Sequence, residues 1–449
     1  MRIQHLLIPL VLTISFFSCI ETNQSFTKLP PGLWRGVLKL EAGTNVVAVE
    51  EEIGTAVQND NDLPFQFNVI YDDPTTFHIE IMNGEERIAV SDIIYGLDRK
   101  TAKDTLIINF PVFDTYIKAL YEESIIEGDW FVNYKPGYSI PFKAYHARGN
   151  RFKDLQKAPV ADLTGKWETT FEPNQEDEYP AIGLFEQEGN KITGTFETET
   201  GDYRYLEGTV QGNKLYMSTF DGAHAFLFTG KIMEDGNLVG EFRSGKHYKS
   251  SWIAKRNADF ELDDAFEMTS DVTGEPFNFT FPSTDGSMVS LTDNAFKGKI
   301  KLVKIMGTWC PNCKDETKFL LDYLKNNNPK DIEVIAIGFE RYKDEAKSMA
   351  ALKRYKDKWE VPYQVLLGGT SASKSKASEK IPQLSGILSY PTLIFVDKSN
   401  KIRKIYTGFS GPATDQYQDF LNDLNCPSVN TLYINFFTFN EYFLIFNIT

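Results

Sequence analysis

The amino-acid sequence predicts two all-β modules followed by an α/β domain at the C-terminus. From Leu29 to about Arg256, stretches of alternating apolar and polar residues are separated by Gly, Asp and Asn, a pattern typical of antiparallel hairpins. From Phe277 onward, apolar runs alternate with segments of helical periodicity, which predicts strands alternating with helices. The length of 449 residues leaves room for about three domains.

The composition favours a folded protein that does not bind nucleic acid. The net charge of −15 is spread through the chain, whereas nucleic acid and anionic headgroups need a basic face. Aromatic residues make up 14% of the chain, a level more typical of packed sheets than of disordered chain. We therefore expect no nucleic-acid partner, and no pattern in the sequence indicates a cofactor.

The first residues have the pattern of an export signal. A basic start is followed by the apolar run "LLIPLVLTISFF" and then by Ser18 and Cys19, and this run is too short to span a bilayer comfortably. A small residue before a cysteine at this place resembles a bacterial lipobox. We therefore predict a signal peptide over residues 1–18 and a lipidated Cys19; an ordinary cleaved signal with an incidental cysteine is the alternative.

The β region shows an internal repeat. "GLWRGVLKL" at Gly32 is answered by "GKWETTFEP" at Gly165, and three further pairs of segments follow in the same order, which makes chance similarity improbable. Each copy opens with Gly-x-Trp and continues as a meander, which suits a small barrel or sandwich. We place the first β module at residues 26–150, the second at 160–258 and an acidic linker at 259–273. The histidines of this region lack metal-ligand spacing.

Residues 274–425 are predicted to form the α/β domain. "IKLVKIM" and "IEVIAIGF" are predicted buried strands on either side of the helical segment "CPNCKDETKFLLDYLKNN". "TLIFVD" and "KIRKIYTG" are predicted strands before a closing helix at "TDQYQDFLNDL". A β–α–β start and a β–β–α end is the element order of a thioredoxin fold.

Two of the four cysteines lie two residues apart, at the junction of a predicted strand and helix. Cys310 would face the helix N-terminus, where unpaired N–H groups and the helix dipole stabilise a thiolate and lower its pKa. Pro311 suits the first helical position, where its missing N–H costs nothing. Cys313 lies one turn further in and is expected to be more buried. Cys310 is therefore predicted to be the nucleophile, and Cys313 the resolving thiol.

Trp-Cys-x-x-Cys after a strand, with a later x-Pro-Thr before a strand, is a specific combination of motifs. Over roughly residues 270–425, the chain resembles the thioredoxin-like domain of the TlpA/ResA-type thiol–disulfide oxidoreductases. The resemblance implies redox cycling through a Cys310–Cys313 disulfide. It also implies a cis Pro391 whose loop faces the cysteine pair and offers backbone groups to an extended substrate. Trp309, Tyr390 and Pro391 are therefore the expected substrate-binding residues.

Glu316 falls three residues after Cys313, on the same face of the predicted helix. A carboxyl group half buried beside the inner sulfur would have a raised pKa and could relay a proton to or from Cys313. The alternative is a solvated glutamate that interacts with the helix dipole. TlpA/ResA-type proteins carry a functional glutamate at this offset, which favours the relay.

Three residues are expected to tune the potential of the pair. Lys304 stands where thioredoxin has a buried aspartate; a buried lysine would favour the Cys313 thiolate, although its ammonium could instead reach solvent. Pro311 resembles the strongly oxidising DsbA motif, but Asn312 replaces the histidine cation of that motif. We therefore expect a reductase or isomerase with a potential of roughly −200 mV or below.

Other functions fit the sequence less well. A copper carrier needs wider cysteine spacing and a histidine ligand, zinc needs more than two thiols, and a peroxiredoxin needs Pro and Thr where Val303 and Gly307 stand. No metal site is therefore expected. A ligand-binding β-barrel surface lipoprotein with an accessory redox domain is the alternative from a different class, and Cys310→Ser would discriminate the two.

The predicted setting is the cell envelope, facing the periplasm and held to a membrane by the lipid on Cys19. The expected partners are disulfide-bearing exported proteins and an unidentified membrane electron donor. Residues 426–449 form an atypical aromatic-rich tail, prone to aggregation if exposed. Cys426 at its start is expected to be a non-catalytic thiol.

Overall fold

The computed structural model of the chain describes residues 28–41, 60–100, 102–414 and 417. The predicted signal peptide, Cys19 and the tail at 426–449 with Cys426 lie outside the described residues. Most of the predicted closing helix lies outside them as well. Within the described ranges, no helix has the length and apolarity needed to cross a bilayer.

The first β module is a single antiparallel sheet that follows the chain as a meander. Its nine strands are β1 (Gly32–Lys39), β2 (Asp62–Tyr71), β3 (Phe77–Asn83), β4 (Glu86–Val90), β5 (Ile93–Asp98), β6 (Lys103–Phe110), β7 (Thr115–Glu122), β8 (Ile125–Val132) and β9 (Ser139–His146). The first strand pairs with the last, so that the sheet curls, and within the described residues the ladder stays open between β4 and β5. Alternation places Phe77, Ile79 and Ile81 of β3 on the buried face.

The second β module closes into an antiparallel barrel, which we call the barrel. Its strands are β10 (Gly165–Phe171), β11 (Tyr179–Glu188), β12 (Lys191–Thr198), β13 (Gly201–Asp202), β14 (Leu206–Gln211), β15 (Lys214–Phe220), β16 (Ala225–Ile232), β17 (Leu238–Ser244) and β18 (Tyr248–Arg256). Closure follows because β10 pairs with both β11 and β18, and β12 pairs with both β11 and β14. The interior is filled by stacked aromatic side chains, among them Phe196, Phe228 and Trp252.

The Gly-x-Trp sequence that opens each module has the same structure in both. Trp34 and Trp167 are buried, and the indole N–H of each donates to the carbonyl four residues earlier, at 3.0 and 2.9 Å. The preceding glycines, Gly32 and Gly165, have φ values of +95° and +120°, which L side chains rarely adopt. This shared geometry agrees with the internal repeat found in the sequence.

The two β modules are joined by a hydrophobic cluster, although the barrel also has a core of its own. Phe220 from the barrel packs with its ring centroid 4.5 Å from that of Phe65 in the first module. Tyr216 and Leu227 of the barrel belong to the same buried cluster. Hydrogen bonds reinforce the contact, since Asn83 Nδ2 donates to the Phe220 carbonyl at 3.0 Å. The two modules therefore pack together through apolar side chains of the barrel strands that point toward the first module.

The C-terminal domain has the thioredoxin-like arrangement that the element order predicts. Its central sheet has the order β23-β22-β21-β24-β25, in which the pairings of β21 with β22 and of β22 with β23 are parallel and the others are antiparallel. These strands are β21 (Ile300–Met306), β22 (Ile332–Phe339), β23 (Gln364–Gly369), β24 (Thr392–Val396) and β25 (Ile402–Thr407). A hairpin precedes them, formed by β19 (Thr280–Pro282) and β20 (Met288–Ser290).

Three α-helices accompany this sheet within the described residues: α1 (Pro311–Asn327), α2 (Glu345–Lys358) and α3 (Lys374–Lys380). The segment of α1 was predicted to be helical from the sequence, whereas α3 was not, since its seven residues are too few to show helical periodicity. Helix α1 begins directly after the loop that follows β21, so the C-terminal end of β21 presents the cysteine pair.

Candidate active site

The cysteine pair is built on the N-terminus of α1. Cys310 is the N-cap residue, with extended φ and ψ of −99° and 114°, and the backbone N–H of Cys313 donates to its sulfur at 3.2 Å. Pro311 occupies the first turn, where a missing N–H leaves no hydrogen bond unmade. The two sulfurs form a disulfide in this structure. The helix end therefore directs its unpaired donors at the outer sulfur.

The two cysteines differ in exposure and surroundings. Cys310 is 6% exposed and Cys313 is 1% exposed. The sulfur of Cys310 lies 3.4 Å from the carbonyl oxygen of Tyr390, so the outer sulfur faces the loop before β24. The structure thus brings Cys310 and the Tyr390 backbone together on one side of the sheet.

The Tyr390–Pro391 peptide bond is cis, as the resemblance implies. Trp309 packs edge-on against the Tyr390 ring, with the centroids 5.3 Å apart. The indole N–H of Trp309 donates to the Phe339 carbonyl at 2.9 Å, which fixes the ring beside the end of β22. The three residues expected to bind substrate are therefore neighbours around Cys310.

Lys304 and Glu316 form a fully buried ion pair under the cysteines. Both side chains are 0% exposed, and Lys304 Nζ lies 3.1 Å from Glu316 Oε2. The ammonium also donates to the Cys313 carbonyl at 2.6 Å and to Thr317 Oγ1 at 2.5 Å. Burial raises the pKa of Glu316, and the charge of Lys304 only partly opposes this.

This burial decides between the readings that the sequence left open for the two side chains. Glu316 is not a solvated first-turn glutamate, and the ammonium of Lys304 does not reach solvent. Glu316 pairs with Lys304, and the lysine ammonium donates to the Cys313 carbonyl, so Lys304 links the carboxyl group to Cys313. A proton relay from Glu316 to Cys313 remains a prediction.

Glu340 is a buried carboxyl group of the site that the sequence analysis missed. It follows β22 and accepts hydrogen bonds from the Thr308 backbone N–H at 2.9 Å and the Thr308 hydroxyl at 2.7 Å. Burial raises its pKa to about 7, against the lowering effect of these two hydrogen bonds. The sequence could have predicted this position. Glu340 directly follows a buried strand parallel to β21, so it lies at the same edge of the sheet as the residues that follow β21.

A hairpin of the barrel touches the loops around the cysteines, which the sequence analysis also missed. This turn, Thr198–Asp202, joins β12 to β13. Gly201 bridges to Phe409 after β25, and a Cβ on Gly201 would overlap the side-chain amide of Asn312. The hydroxyl of Ser389 donates to the Thr200 carbonyl at 3.4 Å. The barrel thus forms one wall beside the redox pair.

Arg204 anchors this hairpin through a buried ionic network. Its side chain is 3% exposed and contacts one carboxylate in each of the first β module, the barrel and α1. The distances are 3.3 Å to Asp221 and 2.5 Å to Asp315, and Glu86 is in direct contact. Glu86 and Asp315 lie 118 and 111 positions from Arg204 in the sequence, so no local pattern could have indicated these two pairs.

A thioredoxin-type sheet, a Cys-x-x-Cys disulfide at the first helix and a cis-proline loop against the outer sulfur define the class of thioredoxin-fold redox proteins. Comparison with known proteins leads to the same class. The family model described as Redoxin matches residues 273–421. The thiol:disulfide interchange protein DsbE of Pseudomonas aeruginosa is 30% identical over 146 residues, which cover 32% of this chain and 72% of DsbE. The chain belongs to the ResA/DsbE family of thiol–disulfide oxidoreductases.

Further relatives match the same region. ResA of Bacillus thuringiensis is 26% identical over 125 residues, and ResA of Bacillus subtilis is 23% identical over 131 residues. These matches cover 28% and 29% of this chain, and 63% and 64% of the length of each ResA. Among solved structures, the thioredoxin domain of a thiol-disulfide oxidoreductase from Bacteroides vulgatus is 24% identical, covering 35% of this chain and 100% of that chain, with a TM-score of 0.26.

Proposed function

We propose that the chain catalyses thiol–disulfide exchange on disulfide-bearing proteins through Cys310 and Cys313. The observation that carries this proposal is the disulfide at the N-terminus of α1, with its outer sulfur beside the backbone of the cis-proline loop. A substrate segment laid along that loop would bring its own sulfur toward Cys310.

The reduced enzyme acts in two exchange steps. The Cys310 thiolate attacks one sulfur of the substrate disulfide, which forms a mixed disulfide and releases the other substrate sulfur as a thiolate. The Cys313 thiolate then attacks the Cys310 sulfur, which forms the Cys310–Cys313 disulfide and releases the second substrate thiolate. Two electrons pass to the substrate in each cycle, and an external dithiol donor must return them.

The residues beneath the pair would assist the second step. The Lys304 ammonium donates to the Cys313 carbonyl, and its positive charge favours the thiolate of the same residue. Glu316 beside it holds a proton more readily than an exposed glutamate, because burial raises its pKa. We assign Lys304 the electrostatic role, and Glu316 the role of proton donor and acceptor for Cys313.

The direction of electron flow in this proposal is reduction or isomerisation. Pro311 and Lys304 both favour the reduced enzyme, which would make a stronger oxidant, but Asn312 offers only dipoles where a DsbA motif has a histidine cation. We expect a potential of roughly −200 mV or below; a value near −120 mV after equilibration with glutathione would make the protein an oxidant.

The proposed setting is the cell envelope. Its support is the export-signal pattern before Cys19 and the family resemblance of the redox domain. Disulfide-bearing exported proteins would be the substrates, a membrane protein would supply electrons, and the lipid on Cys19 would hold the chain at the membrane. Palmitate labelling of the wild-type protein and of a Cys19→Ser variant tests the anchor, since only the wild type should be labelled.

Trapping of the mixed disulfide tests the proposed exchange. The reduced Cys313→Ser variant should accumulate a dithiothreitol-sensitive adduct with a protein disulfide such as insulin, because no resolving thiol remains. Cys310→Ser is the matched control and should form none. An adduct on Cys310→Ser but not on Cys313→Ser would contradict the assigned roles, and equal insulin reduction by wild type and Cys310→Ser would reject the function.

The alternative, a ligand-binding lipoprotein with an accessory redox domain, would need a binding cavity in a β module. The interior of the barrel, residues 165–256, is filled by Phe196, Phe228, Trp252 and their aromatic neighbours. This packing does not favour a ligand inside the barrel.

A further inference from the structure

Four basic side chains from three modules form a cluster that reaches the active-site tryptophan through Arg341. We call them the cationic rim: Lys135 from the turn between β8 and β9, Lys246 and His247 from the turn between β17 and β18, and Arg341 from the loop after β22. Lys135 is half-buried, and the other three are exposed. The rim stands out because the chain as a whole carries a net charge of −15.

Aromatic rings and close contacts hold the rim together. Lys135 Nζ lies 3.2 Å from His247 Nε2, and Tyr138 Oη lies 3.2 Å from His247 Nδ1. The Nζ atoms of Lys135 and Lys246 each lie 4.9 Å from the centroid of the Tyr138 ring. The guanidinium carbon of Arg341 lies 5.3 Å from the Tyr134 ring centroid. Cations stacked on tyrosine faces are held in place while their charges stay available.

The positive charges of the rim are not neutralised by carboxylates. Within the described part of the chain, none of Lys135, Lys246 and Arg341 takes part in an ion pair. Burial and the charge of Arg341 lower the pKa of Lys135 to about 8. Burial, Lys135 and Arg341 lower that of His247 to about 4. His247 is therefore neutral at pH 7, and the positive charges of the rim are those of Lys135, Lys246 and Arg341.

The carboxyl groups that interact electrostatically with Tyr134 or Arg341 have other bonding partners. Asp114 and Asp221 both raise the pKa of Tyr134. Asp114 pairs with Arg354 at 3.1 Å, and Asp221 pairs with Arg204 at 3.3 Å. Glu340 precedes Arg341 in the chain, but both of its oxygens accept hydrogen bonds from Thr308. A negative group from another molecule would therefore meet attraction that the protein itself does not satisfy.

Arg341 connects the rim to the residues around the reacting sulfur. The guanidinium carbon of Arg341 lies 3.8 Å from the centroid of the Trp309 ring. Trp309 precedes Cys310 in the chain and contacts Tyr390, whose carbonyl lies 3.4 Å from the Cys310 sulfur. An extended peptide advances about 3.4 Å per residue, so a carboxylate a few residues from a reacting cysteine can reach the rim.

We propose that the cationic rim binds a carboxylate of the exchange partner, so that Cys310 reacts preferentially with thiols and disulfides that carry negative charge near the sulfur. The inference rests on the proposed function and adds a preference among its substrates. Acidic side chains of a polypeptide and the carboxylates of a small peptide thiol share this chemistry. Arg341 is the central residue because it contacts both Trp309 and Tyr134.

Paired disulfide substrates test the preference on the reduced full-length chain. The small pair is oxidised glutathione, which carries carboxylates, and 2-hydroxyethyl disulfide, which is neutral. The peptide pair is one disulfide-linked peptide with Asp residues beside the cysteine and the same peptide with Asn. For Arg341→Gln, we expect the ratio of acidic to neutral exchange rates to fall about three- to tenfold in at least one pair, and further for Arg341→Gln combined with Lys135→Gln.

Salt and a matched charge variant separate the rim from the overall charge of the protein. The wild-type ratio should fall as ionic strength rises, because salt screens exposed charges. Lys330 lies at the other end of the sheet, where the carbonyl of the next residue, Asp331, accepts a hydrogen bond from the first residue of β21. Lys330→Gln removes one positive charge there and should leave the ratio of acidic to neutral exchange rates unchanged. A fall of the ratio in the glutathione pair alone would identify a small carboxylated thiol as the partner. A fall in the peptide pair alone would identify an acidic polypeptide. A fall in both pairs would show that the rim recognises the carboxylate that the two partners share.

Two failures are distinguishable in this experiment. If the wild type exchanges with these disulfides but its ratios match those of both rim variants, the inference is wrong and the proposed function stands. If the wild type is no faster than Cys310→Ser on every substrate, the proposed function itself is wrong. A Lys330→Gln effect as large as that of Arg341→Gln would also overturn the inference, since net charge would then explain the preference.

Discussion

The buried Lys304–Glu316 pair places one positive and one negative charge beneath the inner cysteine, at 3.1 Å from each other and away from water. Removing one partner of such a pair leaves the other charge uncompensated, which costs far more than the net stabilisation by the pair. The ammonium also donates a hydrogen bond to the Cys313 carbonyl. A change in the charge of either partner should therefore change the stability of the Cys313 thiolate.

Glu316→Gln should move the pH dependence of exchange toward lower pH. The neutral amide no longer opposes the charge of Lys304, so the cation should stabilise the Cys313 thiolate more strongly. The rate of mixed-disulfide resolution, followed by stopped flow from pH 5 to 9, measures this. Glu333→Gln is the matched control, since Glu333 pairs with Lys299 on a more exposed part of the same domain, and it should leave the profile unchanged. An unchanged profile for Glu316→Gln would remove its role in proton transfer.

The free energy of unfolding should fall as pH rises, because Glu340 loses its proton. Its folded pKa of about 7 lies above the value of 4.5 for an ordinary glutamate. Between these two pH values the folded state therefore binds more protons than the unfolded state, and stability falls with increasing pH. The stabilisation is fully present below pH 4.5, and the loss levels off above pH 7 at about 3 kcal/mol.

Urea unfolding of wild type and Glu340→Gln at pH 5 and pH 8 measures this effect. Glutamine does not titrate, so the variant should lose less stability between the two pH values than the wild type loses. Other groups contribute equally to both proteins, so the difference between the two pH dependences isolates Glu340. Equal losses would show that the carboxyl group titrates normally.

The element that the sequence analysis did not place at the site is the barrel hairpin Thr198–Asp202. Its backbone lies against two loops of the thioredoxin-fold domain, with Gly201 bridged to Phe409 and Thr200 packed on Gly408. Gly201 has a φ of +139°, which disfavours any side chain. Close backbone approach of this kind requires glycine on both sides of the contact.

Gly201→Ala should destabilise the contact between the barrel and the redox domain. The new methyl group would overlap Asn312 and lie 2.9 Å from the Phe409 carbonyl oxygen, at a cost of about 1–3 kcal/mol. Gly189→Ala is the matched control, because Gly189 also has a positive φ in a barrel turn but has no atom within 4 Å of an added Cβ. Limited proteolysis should cleave Gly201→Ala faster than Gly189→Ala, and equal rates would contradict the packing.

At the scale of the whole molecule, the redox pair lies where three modules meet. Arg204 joins them through Glu86, Asp221 and Asp315 with its side chain 3% exposed. An arginine so enclosed by carboxylates fixes geometry, since each partner must be in place before the charges are compensated. The cationic rim has the same origin, because its members also come from three modules.

Arg204→Gln should loosen the assembly. The buried Asp221 and Asp315 and the partly buried Glu86 would lose their cation, at a cost of about 3 kcal/mol or more, and the thermal unfolding midpoint should fall. Arg403→Gln is the matched control, since Arg403 is 57% exposed and pairs with one carboxylate, Asp397. A midpoint for Arg204→Gln as high as that for Arg403→Gln would mean that the network contributes nothing to stability.

The sequence could predict the features that local pattern determines. The redox sheet follows from alternating apolar runs, Cys310 from a strand followed by a helical segment, and the proximity of Cys313 and Glu316 from helical spacing. Arg204 with Asp315 and Lys135 with His247 are separated by 111 and 112 residues. Only the packing of complete modules brings such residues together, so periodicity and motif spacing carry no information about them.

The apolar contact between the two β modules makes each module depend on the other. A duplicated unit is dispensable while each copy folds on its own, but here Phe220 of the second copy fills the interior of the first, against Phe65. Loss of either copy would leave the survivor with an open apolar face. A chain that kept only one of the two modules would therefore expose to water the apolar side chains of this contact.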